Sequence, residues 1–220
     1  YLYEPSGLGK GDGRRAREKQ IGVLTGRPSR SWSRGKPAST LVTPEVVTAD
    51  MLQDGAILFV RHSERPSFAG LTNQQKHEVA LTARGREMAR ELGQRVGQEA
   101  RLASSPVPRA LETAEAIAAG AGLDPGSILQ TPNLMRFLAT GPEHYDEVKR
   151  RLGWTGLMAS WMDGSLPHGV LVPCEQVARQ ALEAMLSATE TRGVIAVTHD
   201  FLVMALLAAL RGERPTSVPY

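Results

Sequence analysis

The chain has 220 residues, 41% of them hydrophobic and 22% charged, the balance of a folded domain with a substantial core. Its net charge of +3 is unevenly spread: residues 1 to 36 hold nine Lys and Arg against three acids, which leaves −3 for the rest, so the basicity belongs to an arm and no nucleic-acid surface is expected of the folded body. Its longest apolar stretch, Phe201 to Leu210, is far shorter than the roughly 20 residues that cross a bilayer, so no membrane span is expected. The polar, Gly-rich opening residues show no recognisable signal peptide.

The lone Cys174 excludes an intrachain disulfide and a cysteine-based metal cluster, and fits a reducing, cytoplasmic setting. It reads as a small buried hydrophobe rather than a reactive thiol.

Residues 1–40 form an arm rich in Gly, Ser, Pro and Arg with almost no apolar periodicity. Such a segment cannot bury enough surface to offset its ordering entropy, so it is expected to be disordered or draped over the domain, and is the part suited to an acidic partner. Residues 41–220 form one domain in which strands and helices alternate.

"AILFVRH" reads as a buried strand, and "TARGREMARELGQRVG" as a helix with Met88, Leu92 and Val96 on one face. A short strand, "ARLASS", leads into the helix "PRALETAEAIAAG", with Pro108 suited to its first turn and Gly120 and Gly122 to its end. "SILQTP" is a third strand, and residues 136–172 are irregular and carry aromatics. A helix follows from about Cys174 to Thr189, then the strand "GVIAVTH" and a last helix, "DFLVMALLAALRG". This alternation predicts a three-layer α/β/α sandwich with a mostly parallel central sheet. At "RPTSVPY" either the domain finishes or a further strand begins.

Two of the strands end in histidine, at His62 and His199, and a third delivers Arg109 into the first turn of its helix. Ligands of open α/β sheets bind outside the carboxyl ends of the strands. Three such ends would converge two imidazoles and the guanidiniums of Arg61 and Arg109, a set suited to a phosphoryl group, whose oxygens accept paired hydrogen bonds from Arg.

The pieces "RHSE", "LTARG", "SSPVPRALETA" and "VTHD" stand in the order found in the histidine phosphatase superfamily, and over residues 56–212 the chain resembles its phosphoglycerate mutase-like and acid phosphatase-like members. The resemblance implies that His62 is the nucleophile and carries a transient phosphohistidine. It implies that Arg61, Arg109 and His199 hold the equatorial oxygens and that no metal or other cofactor is needed.

Arg65 matches a second arginine of the acid phosphatase-like motif. Glu64 matches the acidic position of the mutase-like one, and is expected either to contact Arg61 or Arg65 or to be a solvated charge. The proton donor is expected to be Asp200, which directly follows the second histidine as in the acid phosphatase-like branch, and which also suits the N-cap of the last helix. The alternative acid is Glu143, since the mutase-like branch carries a glutamate after its third strand, about where Arg136 stands here.

His77, His144 and His168 read as ordinary surface or half-buried histidines, and Trp154 and Trp161 as core of the variable segment 132–173 that would recognise the leaving group. Thr82 and Gly85 are expected to set the start of the first long helix. The reading is a metal-independent phosphomonoester hydrolase acting on a phosphorylated small molecule or phosphoprotein. The alternatives are a phosphomutase of the same fold, disfavoured by the missing glutamate, and a catalytically idle phospho-ligand or protein-binding module.

Overall fold

The computed structural model describes residues 23–26, 39–42, 47–138, 142–188 and 193–212. The strands are β1 (Val23–Gly26), β2 (Ser39–Val42), β3 (Ile57–Arg61), β4 (Ala100–Ser104), β5 (Leu129–Gln130) and β6 (Gly193–Thr198). The α-helices are α1 (Asn73–Glu78), α2 (Ala83–Val96), α3 (Pro108–Ala121), α4 (Pro142–Asp163), α5 (Cys174–Ala188) and α6 (Asp200–Arg211).

The central strands β3 and β6 are buried at every position. A parallel strand covered on both faces is written as a continuous apolar run, which is what "ILFVR" and "GVIAVT" are. Alternate residues go to opposite sides. Ile57 and Phe59, with Val194 and Ala196, join the core under α4, α5 and α6. Leu58 and Val60, with Ile195 and Val197, join the core under α2 and α3. The result is three layers.

The sheet order is β2-β1-β3-β6-β4-β5, with β3, β6, β4 and β5 parallel and β1 antiparallel to both β2 and β3. Among the described residues, the last strand in sequence, β6, therefore inserts between the first and second strands of the parallel set. Backbone bonds run from His62 N to the Thr198 carbonyl (2.9 Å) and from Ser105 N to the Val197 carbonyl (3.0 Å), so the three exits continue in register past the strand ends.

On one face, α2 and α3 approach so closely that a Cβ at Gly93 would strike the Ile117 carbonyl and one at Gly120 the Arg90 carbonyl. Pro108 occupies the first turn of α3, and Gly122 closes that helix at φ 70.

Three elements differ from the sequence reading. The region read as irregular contains α4, whose backbone breaks at Gly153 (φ 66), so its two halves present different faces and no single apolar stripe runs its length. The strand read from "SILQTP" shrinks to Leu129–Gln130, because Pro125–Ser127 and Pro132–Leu134 form 3-10 turns on either side. Within the arm, Val23–Gly26 extends the sheet beside β3; the arm's other residues, apart from Ser39 and Thr40 in β2, lie outside the described ones, as does the end of the chain from 213. Among the described residues no helix is long and apolar enough to cross a membrane.

Candidate active site

His62 leaves β3, His199 leaves β6, and Ser105 leaves β4 just ahead of Arg109. Because these strands are neighbours, the histidine rings lie 5.4 Å apart between centroids. Arg61, His62, Arg65, Arg109, His199 and Asp200 are all buried.

The loop behind His62 is fixed by three ties. Ser63 N donates to Thr113 Oγ1 (3.0 Å), and the Thr113 hydroxyl donates to the Arg109 carbonyl (2.7 Å), joining this loop to the first turn of α3. Thr82 N donates to the Glu64 carbonyl (3.0 Å), and its hydroxyl donates to Glu64 Oε1 (2.8 Å). Thr82 is the N-cap of α2, its Oγ1 accepting from Gly85 N (2.9 Å). A Cβ at Gly85 would strike the Glu64 carbonyl, so "LTARG" is the piece that lets a helix start press against the loop carrying the nucleophile candidate. Glu64 is thus a half-buried partner of Thr82.

His62 Nδ1 lies 2.9 Å from the Ser63 carbonyl oxygen. A carbonyl can only accept, so Nδ1 carries the proton and Nε2 presents its lone pair. That Nε2 is buried and has no hydrogen-bond partner. Burial, then the charges of Arg61, Arg109 and His199, hold the imidazole well below the usual histidine range, the Ser63 carbonyl acting the other way. The neutral form, with a lone pair on Nε2, is therefore the resting form.

His199 Nε2 lies 2.7 Å from Ser105 Oγ, while its Nδ1 is buried without a partner. Burial and then the Arg109 charge hold this imidazole low too.

Arg61 pairs through Nε with Asp200 Oδ1. Asp200 is the first residue of α6 and not its cap; His199 occupies the cap position without a side-chain bond, so the carboxylate points to Arg61 instead of back onto the helix. Arg65 donates to the Pro66 carbonyl (2.7 Å), and its guanidinium stacks on the buried Phe68 ring with Cζ 3.3 Å from the centroid. The Arg109 guanidinium lies over the same ring at 5.5 Å and donates to the Lys76 carbonyl (3.3 Å).

Among the described residues the buried formal charges are three guanidiniums and one carboxylate. The excess of positive charge is felt at Arg109, pushed down to about 9 by burial and by Arg65 and Arg61, with Asp200 opposing. A dianion placed among them reverses that penalty.

The model of the histidine phosphatase superfamily (branch 1) matches residues 57–219. The chain belongs to this superfamily. Among solved structures it is similar to a mycobacterial glucosyl-3-phosphoglycerate phosphatase at 27% identity, over 72% of this chain and 79% of that one, with a TM-score of 0.48. It is similar to the Bacillus stearothermophilus protein YhfR at 23% identity, over 74% of this chain and 85% of that one, with a TM-score of 0.51, a likeness of fold. A phosphoserine phosphatase from Entamoeba histolytica aligns at 18% identity over 73% of this chain and 81% of that one, with a TM-score of 0.47. No curated protein sequence matches the chain.

The remaining sequence candidates lie apart from this cluster or on its rim. Glu143 is exposed in the first turn of α4, and Arg136 is exposed as well. His77, His144 and His168 are exposed; burial, then the Arg109 charge, lowers His77, which sits on α1 at the rim. Trp161 is core, donating from Nε1 to the Val172 carbonyl (2.8 Å), and Trp154 packs edge-on against Phe201. Burial pushes the Cys174 thiol up to about 11, the state of an inert thiol.

Sequence reasoning did not single out Ser105, Thr113 or Phe68. Ser105 and Thr113 stand inside "SSPVPRALETA", where only the fold shows which hydroxyl reaches which loop. Phe68 closes the stretch "RHSERPSF", and its value as a floor for two guanidiniums depends on a turn that periodicity does not encode.

Proposed function

We propose that the protein is a phosphomonoester hydrolase working through a phosphohistidine on His62. The observation that carries this reading is the His62 Nε2 atom, its lone pair buried and unpartnered beside Arg61 and Arg109, while Nδ1 is pinned by the Ser63 carbonyl. A histidine that served only to bind an anion would need an N–H directed at it.

Phosphorus is attacked in line by Nε2, and the bond from phosphorus to the leaving oxygen breaks. Arg61, Arg109 and His199 take the equatorial oxygens, with Arg65 supporting from the Phe68 side. Catalysis here is positioning and electrostatic stabilisation. As the phosphoryl group takes over the Arg61 guanidinium, the Asp200 carboxylate loses its partner, takes up a proton from solvent beside the bound dianion, and gives that proton to the leaving oxygen. Water then attacks phosphorus, Asp200 recovers a proton from it, and the Nε2–P bond breaks to release phosphate. Asp200 is preferred over Glu143 as the donor because it is buried beside Arg61, whereas Glu143 faces solvent. The positive charge comes from guanidiniums, so the reaction is expected to proceed without added divalent ion.

The variable segment is anchored in the core directly behind the site. Phe137 stacks on Phe201 with centroids 4.3 Å apart, and Phe201 directly follows Asp200. The substrate is proposed to be a phosphorylated small molecule.

The test is a quench of turnover of a phosphorus-labelled aryl phosphate under alkaline conditions, which preserve phosphohistidine. Label on His62, its absence in His62→Ala and activity undiminished by chelators are expected. Turnover by His62→Ala near the parent rate would overturn the reading.

A further inference from the structure

We propose that Ser105 is a positioning residue that selects the tautomer of His199: its hydroxyl donates into Nε2, so that Nδ1 keeps its proton and presents it to a phosphoryl oxygen. The proposal rests on the phosphomonoesterase reading of the site and assigns a role to a residue outside the set that meets the phosphoryl group.

Ser105 is fully buried and held at both backbone ends. Its N–H donates to the Val197 carbonyl (3.0 Å), and its carbonyl accepts from the Ser104 hydroxyl (2.8 Å). Its own hydroxyl lies 2.7 Å from His199 Nε2, a short contact between two groups that can each donate or accept. Three arrangements are therefore open to the ring. If Nε2 carries the only proton and donates to Ser105, Nδ1 offers a lone pair to an arriving anion, which is repulsive. If both nitrogens are protonated, the ring adds a further charge to a buried group already holding three guanidiniums against one carboxylate. If Ser105 donates, Nε2 holds the lone pair, Nδ1–H is the free donor and no charge is added.

The geometry leaves Nδ1 for this purpose, since it is buried, lacks a partner and belongs to a ring 5.4 Å from that of His62. The burial and the cations that keep His199 low favour the neutral ring. Which nitrogen of a neutral histidine bears the proton is set by the hydrogen bond made by the other. A hydroxyl anchored on the neighbouring strand serves because β4 and β6 are held in register to their last residues, Ser104 opposite Val197. The same logic operates at His62 with opposite chemistry: there a carbonyl accepts from Nδ1 and frees a lone pair, and here a hydroxyl donates to Nε2 and frees a proton. One ring attacks and the other binds.

The test is nitrogen-15 NMR of the imidazoles in the full-length protein, with and without inorganic orthophosphate or vanadate at neutral pH. His199 is assigned by the loss of its signals in His199→Gln. In the anion-bound protein, a protonated Nδ1 and an unprotonated Nε2 are expected at His199. Ser105→Ala should abolish that pattern and lower kcat by about 10–100-fold, on the scale of the loss when the partner that fixes the tautomer of a metal-bound histidine is removed. Ser105→Thr, which keeps the hydroxyl, should recover most of the rate. An unprotonated Nδ1, a doubly protonated ring, or a Ser105→Ala variant that retains both the tautomer and the rate would overturn the proposal. Failure of either anion to move any histidine resonance would instead overturn the phosphoryl-site reading, and this assignment with it.

Discussion

Replacing Phe68 by leucine removes the floor on which two guanidiniums lie while leaving an apolar side chain to fill the space. A desolvated cation–π contact is worth up to about 2 kcal/mol, and a looser one about 0.5 kcal/mol. Arg65, stacked at 3.3 Å, belongs to the first class, and Arg109, at 5.5 Å, to the second. The stacking exists in the free protein, so its loss acts on anion binding through pre-organisation: guanidiniums freed to sample other rotamers must be ordered again by the ligand. The two contacts together set an upper bound of about 2.5 kcal/mol, a weakening of orthophosphate binding by up to roughly 60-fold. The packing change itself, a large-to-small substitution at a buried ring, should cost about 1–3 kcal/mol of stability. Calorimetric titration with orthophosphate, beside thermal unfolding, separates the two effects, and Phe68→Trp should hold affinity within a few-fold of the parent where the larger ring is accommodated. Unchanged phosphate affinity in a folded Phe68→Leu variant would refute the reasoning and leave the ring a packing role only.

Asp200→Asn should slow alkyl phosphates by roughly 10²–10⁴-fold, the usual size of lost general-acid help, and aryl phosphates much less; if Glu143→Gln shows that leaving-group dependence instead, the donor lies on α4. Because His62 and His199 are held low mainly by burial, the unfolded chain binds more protons than the folded one below the ordinary histidine pKa, so stability falls as pH drops through that range. Each imidazole contributes up to about 1.4 kcal/mol per pH unit; denaturant unfolding at pH 7.5 and 5.5 should show the loss, and an equal loss in the His62→Gln, His199→Gln double variant would reject this origin. Gly93→Ala and Gly120→Ala should destabilise by about 1–3 kcal/mol despite alanine's better helix propensity, because each Cβ meets the backbone of the opposite helix. Gly156→Ala on α4, whose Cβ would meet only Leu152 Cβ at 3.4 Å, should be neutral or slightly stabilising in the same assay.

Much of the fold was legible because the features that encode it are local. The unbroken apolar runs of β3 and β6, the Thr82 cap of α2, Pro108 at the start of α3 and Gly122 at its end depend on residues within a few positions of one another. The apolar runs also set His62 and His199 directly after buried strands, and Pro108 set Arg109 in the first turn of a helix. Strand order was not legible, since periodicity says that a segment is buried on both faces but not which strands flank it. Only the fold inserts β6 between β3 and β4, and that insertion sets His62 beside His199 and Ser105 within reach of Nε2. The break at Gly153 hid α4, because a helix that changes direction loses its single face. Asp200 shows the division most clearly. Its neighbours in sequence offered it a capping role, and a guanidinium delivered from β3 took the carboxylate instead, a pairing between residues far apart in the chain that no local pattern carries.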